Sequence, residues 1–446
     1  MVKPELEKQV DKLRGPFSFF IQAQTTASAF LLLALIAALL IANSGYAHEL
    51  TAIRHLSLRI GVGDWNFEWS LLHLVNDGLI ALFFFLIGLE IKRELVAGEL
   101  QDMMRVGLLL SAAIGGMFVP AALYLAINAN SDGGMISGWG IPMATDTAIA
   151  IGVLAALGAR IPKSVVAFLV GVAIIDDIGA ILVIAFFYTE SLSWNAVAVA
   201  GFLILCLLML NRAGIRHPYV YVFVGVGLWA AIVQSGIHAS IAGVIVAATV
   251  PARPRIKPAT LKHEVNSVVS ELDPAAEHTE VLADQKLHQK IVGVERLAQE
   301  ATTPLRRWEE SLELPVFLLV LPLFAFLNAG VVIDTSALCG LLAEPVALGI
   351  MIGLLVGKPL GILAGVWLGI RLGFAIRPDG LSGRNLLGVG LLSGVGFTMS
   401  TFIAHLAIDP SSATLESAKL AIVIVSAIAA VTAYIVLRFG SKEPGE

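Results

Sequence analysis

The sequence predicts an all-α polytopic membrane protein of about twelve transmembrane helices, and three observations carry the prediction. First, 57% of the 446 residues are hydrophobic and only 14% are charged, far from the balance of core and surface in a soluble domain. Second, apolar runs of roughly 20 residues, the length a helix needs to cross a bilayer, recur along the whole chain. Third, one of these runs, from Val165 to Tyr188, holds two adjacent carboxylates in Ala173-Ile174-Ile175-Asp176-Asp177-Ile178-Gly179-Ala180. A single charged Asp at the centre of a membrane helix costs about 2.5 to 3.5 kcal/mol on insertion scales, so a pair demands partners. Successive helical residues point about 100° apart, which lets one carboxylate face a cavity and its neighbour face another helix.

Composition also excludes. The net charge is −5 and the basic residues form no arm or stripe, so nucleic acid is not an expected partner. Cys206 and Cys339 stand far apart, without metal-ligand spacing or a disulfide framework. No Gly-x-x-x-x-Gly-Lys-Ser/Thr string for ATP is present, and no cofactor is expected. Lys3 to Arg14 carries both signs of charge ahead of the first apolar run, which reads as a retained span, with cleavage near Ser44-Gly45-Tyr46-Ala47 as the alternative.

Taken in order, the expected spans are 24 to 43, 70 to 91, 106 to 127, 141 to 157, 164 to 188, 194 to 210, 218 to 234, 236 to 250, 314 to 333, 345 to 369, 385 to 408 and 415 to 437, in a single membrane domain, 1–446. Lys and Arg set the orientation. Alternate gaps, starting with the one after the first span, hold only Arg54, Arg59 and, just inside the last span, Lys419. The remaining basic residues fall on the other side, which places both termini in the cytoplasm, except Lys358, which is buried in the tenth span.

Outside the membrane, residues 44–69 alternate Leu56, Leu58, Ile60 and then Trp65, Phe67, Trp69 around Gly61-Val62-Gly63-Asp64, the pattern of a small periplasmic β-hairpin with one apolar face. An isolated hairpin is marginal in water, so residues 55–69 are expected to pair with a second copy in a homodimer; the alternative is a hairpin folded onto its own helix ends. Residues 251–313, from Pro251-Ala252-Arg253-Pro254-Arg255 to Trp308, read as a long, charge-rich, partly helical cytoplasmic loop.

Two spans invite interruption. The fourth opens Ile141-Pro142-Met143-Ala144-Thr145-Asp146-Thr147, and the eleventh carries Gly388, Gly390, Gly394 and Gly396. Non-helical backbone survives at membrane depth only inside protein or beside water. Interrupted helices at corresponding places in two halves point to a transport site between inverted-topology repeats, here spans 3 to 5 and 10 to 12. If the two broken helices cross, opposite half-helix dipoles crowd together and need an acid and a base. Asp146 and Lys358 answer that need, giving a candidate set of Asp146, Asp176, Asp177 and Lys358. His238 and His405 read more simply as locally hydrogen-bonded histidines than as ligands, Asp77 as structural, and Glu90, Lys92, Arg93 and Glu94 as a solvated helix end.

The chain resembles the NhaA family of sodium/proton antiporters through five motifs in order: Gly88-Leu89-Glu90-Ile91-Lys92-Arg93-Glu94, Ala144-Thr145-Asp146-Thr147-Ala148, Ile174-Ile175-Asp176-Asp177-Ile178-Gly179-Ala180, Leu321-Pro322-Leu323-Phe324-Ala325-Phe326-Leu327-Asn328-Ala329-Gly330 and Gly357-Lys358-Pro359-Leu360-Gly361. The family is itself a known instance of inverted repeats with a midplane site, so the architecture is also what the resemblance implies. It implies Asp177 as the main sodium-binding carboxylate, Asp176 as a proton carrier paired with Lys358, and Asp146 with Thr145 lining the crossing. The doublet with the lysine resembles the electrogenic branch. Glu90, Arg93, Glu94, His238 and Glu309 match positions implicated in pH response at the cytoplasmic funnel. The match departs before the ninth span, where Glu310 and Glu313 replace expected histidines, and in a loop some tens of residues longer than the family core.

The implied activity is sodium or lithium efflux in exchange for protons, pH-regulated, serving sodium and pH homeostasis at a bacterial inner membrane. A hard cation takes oxygen ligands, and a carboxylate in a low dielectric favours either a proton or a cation over standing bare. Two rivals stand beside it: a sodium-coupled solute symporter, and an intramembrane aspartyl protease using Asp146 and Asp176, although its Gly-x-Gly-Asp string falls in the polar hairpin.

Overall fold

A computed structural model describes residues 16–62, 65–97, 103–189, 192–256, 258–270, 285–333, 340–378, 380–410 and 412–439. The N-terminal lead, hairpin residues Gly63 and Asp64, the middle of the long loop at 271–284, Cys339 and Lys442 lie outside the described residues. Helices dominate. Among the described residues ten are long and apolar enough to cross a membrane, or eleven with one bent pair counted as a single span.

The chain runs α1 (Pro16–Ala42), α2 (Ala47–Arg54), β1 (Ser57–Val62), β2 (Trp65–Ser70), α3 (Leu71–Ala97), α4 (Met103–Asn128), the 3₁₀ segment α5 (Ile136–Met143), α6 (Thr147–Leu157), α7 (Lys163–Phe187), α8 (Trp194–Arg212) and α9 (Pro218–Ser235). There follow α10 (Ser240–Thr249), α11 (Pro258–Ser270), α12 (Gln285–Ala301), α13 (Pro304–Asn328), α14 (Pro345–Arg371), α15 (Gly383–Ser393), α16 (Phe397–Ala407) and α17 (Ala413–Arg438).

Two departures from the expected spans have local causes. The eighth span, 236 to 250, is helical only over Ser240–Thr249, because Gly236 takes φ +83° and the chain turns through 236–239. Ten residues rise about 15 Å, half a hydrocarbon core. The ninth begins ten residues before its apolar run: Thr303 caps α13 by accepting from Arg306 N–H, and the amphipathic turns that follow continue into the span.

The β-hairpin forms as read. Leu58 faces Trp69 and Ile60 faces Phe67, while Arg59 faces Glu68 in the alternate set and bonds it at 2.8 Å. Its base folds onto its own helix ends: the Trp69 ring lies 5.3 Å from Trp229 and 5.2 Å from His73.

Close backbone approach fixes the scaffold around the site. α4 packs along α14, and a Cβ on Gly361 would fall 2.1 Å from the Gly115 carbonyl oxygen. At such separations helices associate by van der Waals contact, since lipid supplies no hydrophobic drive between them. Among the described residues three helices contain π-helical turns, at Leu74–Leu79, Val316–Val320 and Gly353–Gly357. The last sets the position of Lys358. Such turns widen the helix locally and recur at functional sites.

Candidate functional site

Helical hydrogen bonding lapses over 144–146, between α5 and α6, and over 394–396, between α15 and α16, whose axes differ by 46°. The two lapses meet. Asp146 N–H donates to the Val395 carbonyl at 2.6 Å, and Ser400 Oγ donates to the Ile141 carbonyl at 2.8 Å. Freed backbone donors find a carboxylate: Asp146 Oδ1 accepts from Ile149 N–H at 3.1 Å and so caps α6, while Oδ2 accepts from Thr398 N–H at 3.1 Å and Thr398 Oγ1 at 2.6 Å. One side chain thus joins the start of α6 to the start of α16.

Lys358, fully buried on α14, donates to Asp176 Oδ2 at 2.7 Å and to the Met143 carbonyl at the end of α5. Thr145 Oγ1 lies 2.8 Å from the same Asp176 oxygen and 3.0 Å from the Ser393 carbonyl, so its single proton serves one of them at a time. The other carboxylate oxygen, Asp176 Oδ1, is buried without a hydrogen-bond partner among the described residues. Asp176 and Lys358 form an ion pair sealed from solvent, which is stable only with close geometry and further hydrogen bonds.

Asp177, one residue on, faces a narrow cavity shared with Asp146, Thr145, Thr147, Thr398 and Glu90 and walled by Phe83, Ile87, Phe317 and Leu321. No donor among the described residues reaches its carboxylate. The doublet is split as helical geometry requires: one acid on the lysine, the other on the cavity.

Glu90 carries the cavity toward a charge cluster. Arg93 meets Glu309 Oε1 at 2.8 Å, Glu94 Oε1 at 2.7 Å and Glu90 Oε1 at 3.8 Å. His238 does not belong there, which corrects the expected grouping of all five. Its Nε2 lies 3.4 Å from Asp77 Oδ1, its Nδ1 lies 3.0 Å from Ser240 Oγ, and its ring stands on Phe402 at 5.1 Å. Asp77 and Glu90 share α3 but are separated by about 20 Å of helix rise, and His238, in the turn before α10, sits at the Asp77 end. Among the described residues, His405 Nε2 is buried with no hydrogen-bond partner.

The structure adds Thr398, Ser393, Thr147 and the Met143 carbonyl to the site. Met143 and Thr147 lie in the string that interrupts the fourth span, and Thr398 opens the hydroxyl-rich string Thr398-Met399-Ser400-Thr401 directly after a glycine-rich run; Ser393 had no sequence signal.

Apolar helices long enough to span, surrounding a sealed ion pair and a carboxylate-lined cavity, define a multi-pass membrane protein with an ion-handling interior. The family model described as Na+/H+ antiporter 1 matches residues 18–437, and the chain belongs to that family. Among its relatives, a Na(+)/H(+) antiporter NhaA 1 of Shewanella denitrificans is 44% identical over 441 residues, covering 99% of this chain and 98% of the relative. A Na(+)/H(+) antiporter NhaA 2 of Psychromonas ingrahamii is 44% identical over 97% of this chain and 91% of its own length. A further NhaA 1, of Saccharophagus degradans, is 43% identical over 97% and 93%.

Proposed function

We propose that this chain exchanges sodium or lithium for protons across a bacterial inner membrane, expelling the metal cation, without enzymatic chemistry or a resident cofactor. The observation that carries the reading is the meeting of Asp177, Asp146 and Thr145 in one cavity, with the Asp176–Lys358 pair sealed behind it. The relatives' names support it, and none names a solute symporter or a protease.

The cavity offers carboxylate and hydroxyl oxygens, the ligand class a hard cation takes. Asp177 is the principal ligand, Asp146 and Thr145 add oxygens from the crossing, and Glu90 leads ions from the Arg93 cluster. A cation arriving at Asp177 displaces a proton, and a proton returning displaces the cation, so one site opening alternately to each side couples the two fluxes. Asp176 carries a second proton: when it is protonated, Lys358 loses its counter-charge, and when it is ionised the pair re-forms. More protons than sodium ions then cross per cycle, and each net charge gains about 2.3 kcal/mol per 100 mV of membrane potential.

The finer architecture belongs to the same proposal: a single domain of twelve spans with α10 as a half-length member, cytoplasmic termini, a cytoplasmic 251–313, and inverted repeats over spans 3 to 5 and 10 to 12 whose broken helices cross at Asp146. The Glu90, Arg93, Glu94 and Glu309 cluster sets the pH response, and His238 acts separately at the far end. The hairpin, with Leu58 still 43% exposed on its apolar face, pairs with a second copy in lipid.

In everted vesicles, Asp177→Asn abolishes sodium-induced proton release while the chain still inserts. Retained exchange at wild-type rate would overturn the assignment.

A further inference from the structure

Three threonines line the ion cavity, and their hydroxyls are not equivalent. Thr398 Oγ1 donates to Asp146 at 2.6 Å, and Thr145 Oγ1 is committed to Asp176 or the Ser393 carbonyl. Thr147 Oγ1 is buried and has no hydrogen-bond partner among the described residues. Its isolation has a structural cause. A helical threonine ordinarily donates to the carbonyl three or four residues back, but Thr147 is the first residue of α6, so that stretch lies outside the helix, and the Met143 carbonyl accepts from Lys358 instead. An unmet buried hydroxyl costs about 1 to 3 kcal/mol. A position between Asp146 and the cavity wall that bears this cost, where an alanine or valine would avoid it, holds an oxygen that has a use.

We infer that Thr147 is a ligand for the transported alkali cation, supplying a neutral oxygen beside the carboxylates of Asp177 and Asp146. The inference rests on the antiport reading and deepens it: the charged oxygens bind cation and proton in competition, whereas a hydroxyl binds the cation alone. Thr147 therefore raises affinity for sodium without adding to the proton count, and it sets how far sodium competes with protons at a given pH. It is a binding residue with no part in proton transfer.

The test is sodium-driven proton flux in proteoliposomes holding the full chain, comparing wild type, Thr147→Val, which keeps the shape and removes the oxygen, and Thr147→Ser, which restores the oxygen. Thr147→Val raises the sodium KM about tenfold to a hundredfold, the loss of one hydrogen-bond-strength contact to a charge, with the maximal rate within twofold; Thr147→Ser returns the KM to within twofold of wild type. A wild-type KM in Thr147→Val overturns the inference, and so does an equal rise in both variants, which would make the effect one of packing. Should Thr147→Val fail to fold, Thr147→Ser decides alone: a raised KM refutes the ligand role. A wild-type chain without sodium-linked proton flux overturns the antiport reading itself, an outcome distinct from any of these.

Discussion

Replacing Lys358 by Met tests the sealed ion pair. Met keeps the stem volume and removes the ammonium. In the native arrangement that ammonium bonds Asp176 Oδ2 at 2.7 Å and the Met143 carbonyl, and both side chains are fully shielded from solvent. Without it, Asp176 keeps only the Thr145 hydroxyl on Oδ2 and nothing on Oδ1, and the Met143 carbonyl loses its donor. Breaking a buried pair from one side costs about 3 to 5 kcal/mol, because a charge is left alone in a low dielectric. Asp176→Asn strands the lysine by the same logic. The double variant removes both charges, so its loss falls short of the two single losses combined by about 3 kcal/mol or more. The assay is a double-mutant cycle on reversible unfolding in mixed micelles. Additivity within about 0.5 kcal/mol, the range for independent sites, refutes the claim that the two groups hold each other in the folded protein.

Other consequences follow from the same contacts. Thr398→Val removes the 2.6 Å donor to Asp146 and leaves only the backbone N–H on that oxygen; folding weakens by about 1.5 to 3 kcal/mol, the range for hydrogen bonds to charged groups, and an unchanged unfolding midpoint in micelles contradicts it. Gly361→Ala drives a methyl to within 2.1 Å of the Gly115 carbonyl, so α4 and α14 must part, with a loss of about 1 to 3 kcal/mol and a lower thermal midpoint in detergent; a wild-type midpoint shows that this contact does not hold the scaffold. Leu58→Lys places a charge on the apolar face of the hairpin and yields monomers by light scattering with exchange retained; persistent dimers show that the copies associate elsewhere.

The ionisable heart of the site was legible because charge is conspicuous in an apolar chain: Asp146, Asp176, Asp177 and Lys358 could be named without coordinates, and the structure brings them together. The roles of Thr147 and Thr398, although both stand in strings the sequence singles out, and of Ser393 were not, since hydroxyls in membrane helices ordinarily bond their own backbone and the sequence does not mark those that do otherwise. The start of α13 was hidden by charge: Arg306-Arg307-Trp308-Glu309-Glu310 reads as a loop until its continuation into the span is seen. The half-length of α10 depended on the φ of Gly236, and the π-helical turn before Lys358 has no compositional signature. His238 could be matched to a motif, but its depth along the membrane was set by packing against Asp77 and Phe402.

The central claim is that one set of buried oxygens holds either protons or an alkali cation. Titrating sodium into the purified protein by calorimetry, at several pH values and in buffers of different ionisation enthalpy, counts the protons released on binding. The account predicts release of protons with each sodium bound and an apparent affinity that weakens as acidity rises. Sodium binding with no proton release, and with the same affinity at every pH, would contradict it.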